Sequence, residues 1–463
     1  NMKSNEDGNM MKDMTPEHIA KACKGTYHGP EEIKKQCVGG IAIDSRLIQP
    51  GWMFVATKGE RVDGHSFVGQ VMEKGALCVL VEQVPETDCP YILVPDTFQA
   101  IKDLAAYYRS CLSCKVVGIT GSVGKTSTKE MIAGVLSAKY RVLKTAGNFN
   151  NEVGVPLTLF GIREEHEVAV IEMGISDFGE MSRLTAMVKP DICVITNIGE
   201  CHLENLGDRD GVLRAKTEIF EGLAKDGDVV LNGQDDKLIT VREVNGKVPR
   251  FFGGGDCYAE QIVSHGLLGT SCVICAKDMT IAADIRVQGA HQVKNAMAAV
   301  CVAQQLGLTK EEIEAGIKSV VALAGRGQIL AGDRYTLIDE SYNANPVSMK
   351  ATLDALAQTE GRRVAILGDM FELGENSDAL HGEVGRYAGA VGIDLLICIG
   401  ENARHIYEGA GQNADEKSCK LCYFASKEEF LSEKENLLCI GDTILLKASH
   451  GMHFETLIKE LVN

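Results

Sequence analysis

Seven consecutive residues, Gly121, Ser122, Val123, Gly124, Lys125, Thr126 and Ser127, have the types and spacing of a phosphate-binding loop. They follow an apolar run, "KVVGIT", so the sequence predicts a strand, a glycine turn and a helix that opens at Lys125. In that setting, backbone N–H groups of the turn and helix N-terminus cradle an anion, and the helix dipole adds fixed positive charge. Lys125 would reach the β- and γ-phosphates, and the Thr126 hydroxyl would bind Mg²⁺. The spelling departs from Gly-x-x-x-x-Gly-Lys-Ser/Thr, because Ile119 stands where the first glycine belongs. Ile119 reads as the last buried residue of the strand, with Gly121 and Gly124 making the turn.

Three more residues suit the same chemistry. Glu172 ends the strand "EVAVIEM", where a Mg²⁺ ligand belongs, although a carboxylate capping the next loop fits equally well. His202 follows "TNIGEC" at another strand end; a lone histidine is more often structural than a ligand, so by itself it carries little weight. Lys216 lies in "DRDGVLRAKTEIFEGLAK", on the stripe defined by Val212, Ile219 and Leu223, and so occupies a face that should be buried. Desolvation lowers a lysine pKa and exposes a neutral amine, able to act as a base or to take up CO₂ and present a carboxylate to a metal. A lysine snorkelling from the stripe's edge is the alternative.

These residues need a large α/β scaffold. The chain has 463 residues, 45% of them hydrophobic, too long for one compact core. Residues 1–113 read as a small α/β domain, with a helix at "PEHIAKACK" and strands at "CVGGIAIDSR", "WMFVAT", "GALCVLVE" and "YILVPD". Residues 114–327 alternate strands and helices, which predicts a central parallel-sheet domain of the P-loop ATPase kind. After the glycine-rich break "ALAGRGQ", residues 328–463 repeat the βα rhythm of a Rossmann-like domain. Asp339, Asp369, Gly400 and Lys447 fall at its strands' carboxyl ends, where ligands collect in open parallel sheets.

Bulk properties narrow the function. A formal net charge of −17 argues against a nucleic-acid surface. No apolar run approaches the length of a membrane span, and the polar opening "NMKSNEDGNM" reads as a leader without a secretion signal. The 16 cysteines then read as reduced thiols. Of three Cys-x-x-Cys pairs, Cys272 and Cys275 lie in a β-like run, where positions three apart face opposite sides and cannot share a zinc.

Longer stretches carry a resemblance. "TGSVGKTS", "TAGNFNNEVGVPLT", "VIEMGIS", "ITNIGECHLENLG", "RAKTEIF", "GAHQVKNAMAA", "DESYNANP" and "LGDMFELGE" resemble, in order, the motifs of the Mur ligases, the ATP-dependent amide ligases of bacterial peptidoglycan synthesis. The resemblance runs from about residue 15 to the end, and the family's loop, Gly-x-x-Gly-Lys-Thr, has the spelling found here. "GNFNNEVGVP", "SYNANP" and "GDMFELG" are similar to the member that adds the last two residues of the stem peptide. "DSRLIQPGWMFVATKGERVDGHSF" resembles the uridine-nucleotide domain shared with the member adding the third residue, whose Asp-Asn-Pro-Arg string does not occur here. Glu340 and Gln292 depart from the usual Asp and Asn.

The resemblance implies ATP, Mg²⁺, UDP-N-acetylmuramoyl-tripeptide and D-alanyl-D-alanine as ligands, in a monomer of the bacterial cytoplasm with no membrane insertion. By the same resemblance, Thr126 and Glu172 hold one Mg²⁺, and His202 with a carbamoylated Lys216 holds a second. Asn295 and Arg326 grip ATP, and Asp339, Tyr342 and Asn343 complete its site from the third domain. Asn148, Asn150 and Asn151 contact the muramoyl-peptide, while Ser45 and Arg46 serve the UDP end, where arginine can engage a diphosphate in a fork. A nucleotide site shared by two domains implies closure during turnover. The competing readings are another Mur-type ligase, a folate polyglutamylating ligase, which would lack the first domain, and a non-catalytic nucleotide switch. A guanine-reading Asn-Lys-x-Asp is absent.

Overall fold

In a computed structural model, residues 10–59, 62–322, 324–413 and 419–462 are described; all of the polar opening except Met10 lies outside them. The first sheet has five short strands, β1 (Thr26–His28), β2 (Ile41–Ala42), β3 (Met53–Val55), β4 (Cys78–Val81) and β5 (Tyr91–Leu93), in the order β1-β5-β4-β3-β2. Only two residues of "CVGGIAIDSR" are strand. The Asp44 carboxylate accepts the Arg46 N–H at 2.9 Å, and this turn draws the chain out of the ladder.

The second sheet comprises β6 (Lys115–Thr120), β7 (Val142–Lys144), β8 (Val168–Glu172), β9 (Ile192–Ile195), β10 (Asp228–Asn232), β11 (Arg250–Phe252), β12 (Cys257–Ser264), β13 (Thr270–Ala276) and β14 (Met279–Ile285). Its order is β14-β13-β12-β11-β10-β9-β6-β8-β7, with parallel pairing from β7 through β12. The inner strands β6, β8 and β9 are almost wholly buried; β6 and β8 end in Thr120 and Glu172, and Thr196, directly after β9, donates its N–H to the Thr120 carbonyl at 3.0 Å. Thr120 is fully buried and in strand, so Ile119 is one residue short of the strand's last buried position. Cys272 is buried while Cys275 is half-exposed, as the pleat of β13 requires.

The first two sheets share one core. Tyr108, fully buried on the helix Thr97–Cys111, donates to the Ile162 carbonyl at 2.5 Å, and Arg109 Nε donates to the Val188 carbonyl at 2.9 Å. The helix carrying Lys216 runs Arg209–Thr217 and then tightens into a 3₁₀ turn, Glu218–Gly222, instead of continuing as α-helix. Glu218 is drawn into that turn because its carboxylate accepts the Gly179 and Ser182 N–H groups at the N-terminus of the helix Glu180–Val188. Val212, Lys216, Ile219 and Leu223 are all buried nonetheless.

The third sheet contains β15 (Gln328–Ala331), β16 (Tyr335–Glu340), β17 (Arg363–Gly368), β18 (Leu395–Ile399), β19 (Lys420–Phe424) and β20 (Asp442–Lys447), in the order β15-β16-β20-β17-β18-β19. It is parallel apart from β15, an antiparallel edge strand that the sequence reading did not include. Met349, Leu353, Val384 and Ile406 cover one face; Phe430, Phe454 and Leu457 cover the other. Tertiary contacts group the chain into two compact units: residues 1–260, 273–282 and 294–317, and residues 261–272, 283–293 and 318–463.

Candidate functional site

In the first unit the phosphate loop is a built turn. Gly124 takes φ +78°, and the helix Lys125–Leu136 starts directly after it with no side chain capping its N-terminus. Gly121 has φ +154°, and a Cβ there would lie 1.9 Å from Thr196 Oγ1, so only glycine fits. The end of β9 clasps the loop. Asn197 Oδ1 accepts the N–H groups of Ser122 at 3.1 Å and Val123 at 3.0 Å, and Thr196 Oγ1 donates to the Val123 carbonyl at 2.7 Å. Lys125 Nζ donates to the Gly121 carbonyl at 3.0 Å; burial pushes its pKa down, with Glu172 pulling the other way. Ser127 turns back onto the Gly124 carbonyl. Thr128, on the same helix, donates to Asn295 Oδ1 at 2.9 Å, which places Asn295 against the loop's helix.

Glu172 is 1% exposed at the end of β8, its N–H bonded to Thr145 Oγ1 at 2.9 Å. Oε1 accepts from Thr126 Oγ1 at 3.3 Å and from Asn150 Nδ2 at 2.9 Å. Oε2 is buried with no hydrogen-bond partner. Thr126 and Glu172 therefore meet, as a shared cation would require. Asn151 is spent locally, its Oδ1 accepting the Val153 and Gly154 N–H groups at the start of the helix Gly154–Phe160; Asn148 is exposed.

His202 sits in the left-handed region at φ +51°, a conformation that costs energy outside glycine and concentrates at functional sites. With Lys125, Asn150, Asn151 and Glu180 it lines a cavity of about 480 Å³. Lys216 is 1% exposed, and its pKa is pushed down to about 8, first by burial and then by the Lys125 ammonium. The amine of the sequence reading is thus buried, easily neutralised and beside the loop lysine.

The other residues fall elsewhere. Arg46 forks onto Asp44 at 3.0 and 2.7 Å, holding that carboxyl down at about 2, and the Ser45 carbonyl accepts Lys74 Nζ at 2.8 Å. Their neighbours Asp44 and Leu47 line a second cavity of about 500 Å³ with Trp52, Leu143 and Phe149. In the second unit, Arg326 stacks on the Tyr342 ring at 3.9 Å. Asp339 holds the Gly325 N–H at 2.8 Å and Ser341 Oγ at 2.6 Å, and the Asn343 carbonyl accepts Lys447 Nζ at 3.0 Å. Glu340 reaches both Lys447 at 3.2 Å and Gln288 at 3.2 Å, so this departure from the usual Asp is built into the cluster.

Sequence reasoning missed Asn197, Thr145 and Lys129, which hold the loop and Glu172 from below. Asn197 closes the apolar run "DICVITN", where the signal was available, whereas Thr145 follows the short, partly exposed β7 and carried none.

Three family models match: "Mur ligase family, catalytic domain" over residues 38–109, "Mur ligase middle domain" over 119–303 and "Mur ligase, glutamate ligase domain" over 325–450. The chain belongs to the Mur ligase family. It is 37% identical over 456 residues to the UDP-N-acetylmuramoyl-tripeptide–D-alanyl-D-alanine ligase of Bacillus subtilis, covering 97% of this chain and 98% of that one. A MurF crystal structure from Acinetobacter baumannii superposes with a TM-score of 0.89 at 33% identity, covering 98% and 99% of the two chains. A MurF ligase from Thermotoga maritima, solved in complex with ADP, superposes with a TM-score of 0.73 at 28% identity, covering 91% and 96%. Like other Mur ligases, the chain is an ATP-dependent ligase.

Proposed function

We infer that this chain joins D-alanyl-D-alanine to UDP-N-acetylmuramoyl-tripeptide in peptidoglycan precursor synthesis. One observation carries the reading: the 37% identity to a ligase of that name extends over 97% of the chain. In the implied reaction the tripeptide's terminal carboxylate takes the γ-phosphoryl group of ATP. The dipeptide amine then attacks the acyl phosphate, leaving amide, ADP and phosphate.

The residues fit ATP and Mg²⁺. The uncapped helix end and the Gly121 cradle, which a Cβ would fill, suit a phosphate chain. The unpartnered Glu172 Oε2 and the Thr126 hydroxyl suit a cation that takes its remaining ligands from phosphate and water. When bound, Mg²⁺ would neutralise phosphate charge and polarise the transferring group. Lys125 would screen the meeting of two anions, ATP and carboxylate. Burial and the neighbouring Lys125 favour the neutral Lys216 amine, which suits addition of CO₂ with loss of a proton; the resulting carbamate and His202 would hold a second cation.

The remaining assignments follow the same reading. Residues 1–113 would take the UDP end through Ser45 and Arg46. Residues 114–327 would take the phosphates, with Asn295 against the loop's helix and Asn148, Asn150 and Asn151 near the peptide. Residues 328–463, with Asp339, Tyr342 and Asn343, would meet the rest of the nucleotide, as would Arg326 at the second boundary. UDP-linked and ATP substrates suit the bacterial cytoplasm, and no helix among the described residues is long and apolar enough to cross a membrane.

The test is phosphate release from ATP across a panel of UDP-muramoyl peptides with single amino acids or dipeptides. Release that requires both tripeptide and D-alanyl-D-alanine is expected. Release with a UDP-muramoyl-dipeptide and one free amino acid would reassign the chain to the third-residue-adding ligase.

A further inference from the structure

Four charged side chains lie together beneath the phosphate loop, and the catalytic reading uses only one of them. Lys129 is fully buried on the helix Lys125–Leu136, one turn beyond Lys125. Its Nζ donates to the Thr145 carbonyl at 2.7 Å and pairs with Glu130 Oε1 at 3.1 Å. The same ammonium lies 3.8 Å from Glu172 Oε2. Glu130 has a second cation, Lys144, on its other oxygen. The cluster therefore balances two ammonium groups against two carboxylates, with Lys129 between Glu130 and Glu172.

We propose that Lys129 is a positioning residue, one that fixes the Glu172 carboxylate for the cation beside the phosphate loop. This rests on the reading of Glu172 as a Mg²⁺ ligand. The geometry has a specific form. At 3.8 Å the ammonium supplies countercharge to Oε2 without hydrogen-bonding it, so the lone pairs of that oxygen stay available. The ammonium's hydrogen bond to the Thr145 carbonyl and its ion pair with Glu130 keep it from closing on Oε2. Thr145 joins the two halves, taking Lys129 on its carbonyl and the Glu172 N–H on its hydroxyl. Thr126 and Asn150 pin Oε1. The carboxylate is thus held on one oxygen by hydrogen bonds and compensated on the other by charge alone. A lysine placed only to fill space would not need an ammonium in a site with 0% exposure, where burial of charge is costly unless it is paired.

The test measures ADP binding by calorimetry at a series of free Mg²⁺ concentrations, so it reads cation coupling and not turnover. Wild type is expected to bind ADP more tightly as Mg²⁺ rises. Lys129→Gln, which removes the charge, should need about 10- to 100-fold more Mg²⁺ for the same gain, as for groups that orient metal ligands. Its ADP affinity without Mg²⁺ should stay at the wild-type value. Lys129→Arg should recover part of the Mg²⁺ response. A folded Lys129→Gln protein with wild-type Mg²⁺ dependence overturns the inference, since a purely structural lysine would lower the melting temperature only. If Lys129→Gln does not fold, Lys129→Met, which keeps the apolar stem and removes the charge, decides by the same readout; an unchanged Mg²⁺ dependence there also overturns the inference. Glu172→Gln separates the two levels. If it leaves the Mg²⁺ dependence intact, the assignment of Glu172 itself falls; if it abolishes it while the Lys129 variants change nothing, only the inference falls.

Discussion

Lys216 and Lys129 are both buried amines near one loop, but they are compensated differently. Lys129 has Glu130 and Glu172 close by, whereas the strongest charged neighbour of Lys216 is another cation, Lys125. An uncompensated buried amine relieves its cost by losing its proton, and a carbamate would turn it into an anion among cations. Lys216→Ala should therefore lower kcat by about 100-fold or more, in line with removing one electrostatic stabiliser. Added short-chain carboxylic acid should restore part of that loss in steady-state assays. Near-wild-type activity of the variant would sink the carbamate. Lys216 was legible in the sequence because its neighbours in the stripe are apolar, so a lysine there stands out. Lys129 was not, because "KTSTKE" is polar throughout and reads as the solvated first turns of a helix. Only the fold shows that β7 and β8 cover that turn.

Elements were legible where burial on both faces gave continuous apolar runs. β6, β8, β9, β17, β18 and β20 are of that kind, and the sequence located each. β7 and β11 have three residues each, and β12 is exposed over most of its length, so none carries a period strong enough to read. Close approach between helices was also hidden, because it depends on what a glycine leaves out. In the second unit, the helices Ser377–Ala390 and Ala403–Asn413 meet where a Cβ on Gly385 would lie 2.0 Å from the Ile406 carbonyl, and one on Gly409 would lie 2.2 Å from the Gly382 carbonyl. Backbone atoms cannot yield as a side chain can. Gly385→Ala is expected to destabilise the protein by about 1–3 kcal/mol through overpacking, even though alanine is the better helix former. Urea denaturation measures this; a variant as stable as wild type would mean that the two helices can part without loss.

At the scale of the whole molecule, the balance of charge opposes the ligands. The chain carries a formal −17, and the ATP and UDP-linked peptide it takes in the proposed reaction are both anions. Attraction must come from a few local features: Lys125, the phosphate-loop helix end and whatever cation Glu172 holds. These act at short range, whereas the net charge acts over the full Debye length, about 30 Å at 0.01 M salt and about 8 Å at 0.15 M. Salt should then screen the distant repulsion more than the local attraction. The association rate constant of ADP, measured by stopped flow, is expected to rise several-fold between those two ionic strengths, within the roughly 10- to 1,000-fold range over which fields of whole proteins alter on-rates. A protein whose cleft focused its own positive field would show the opposite slope. A falling rate would therefore assign the steering to the cleft and reduce the net charge to a matter of solubility.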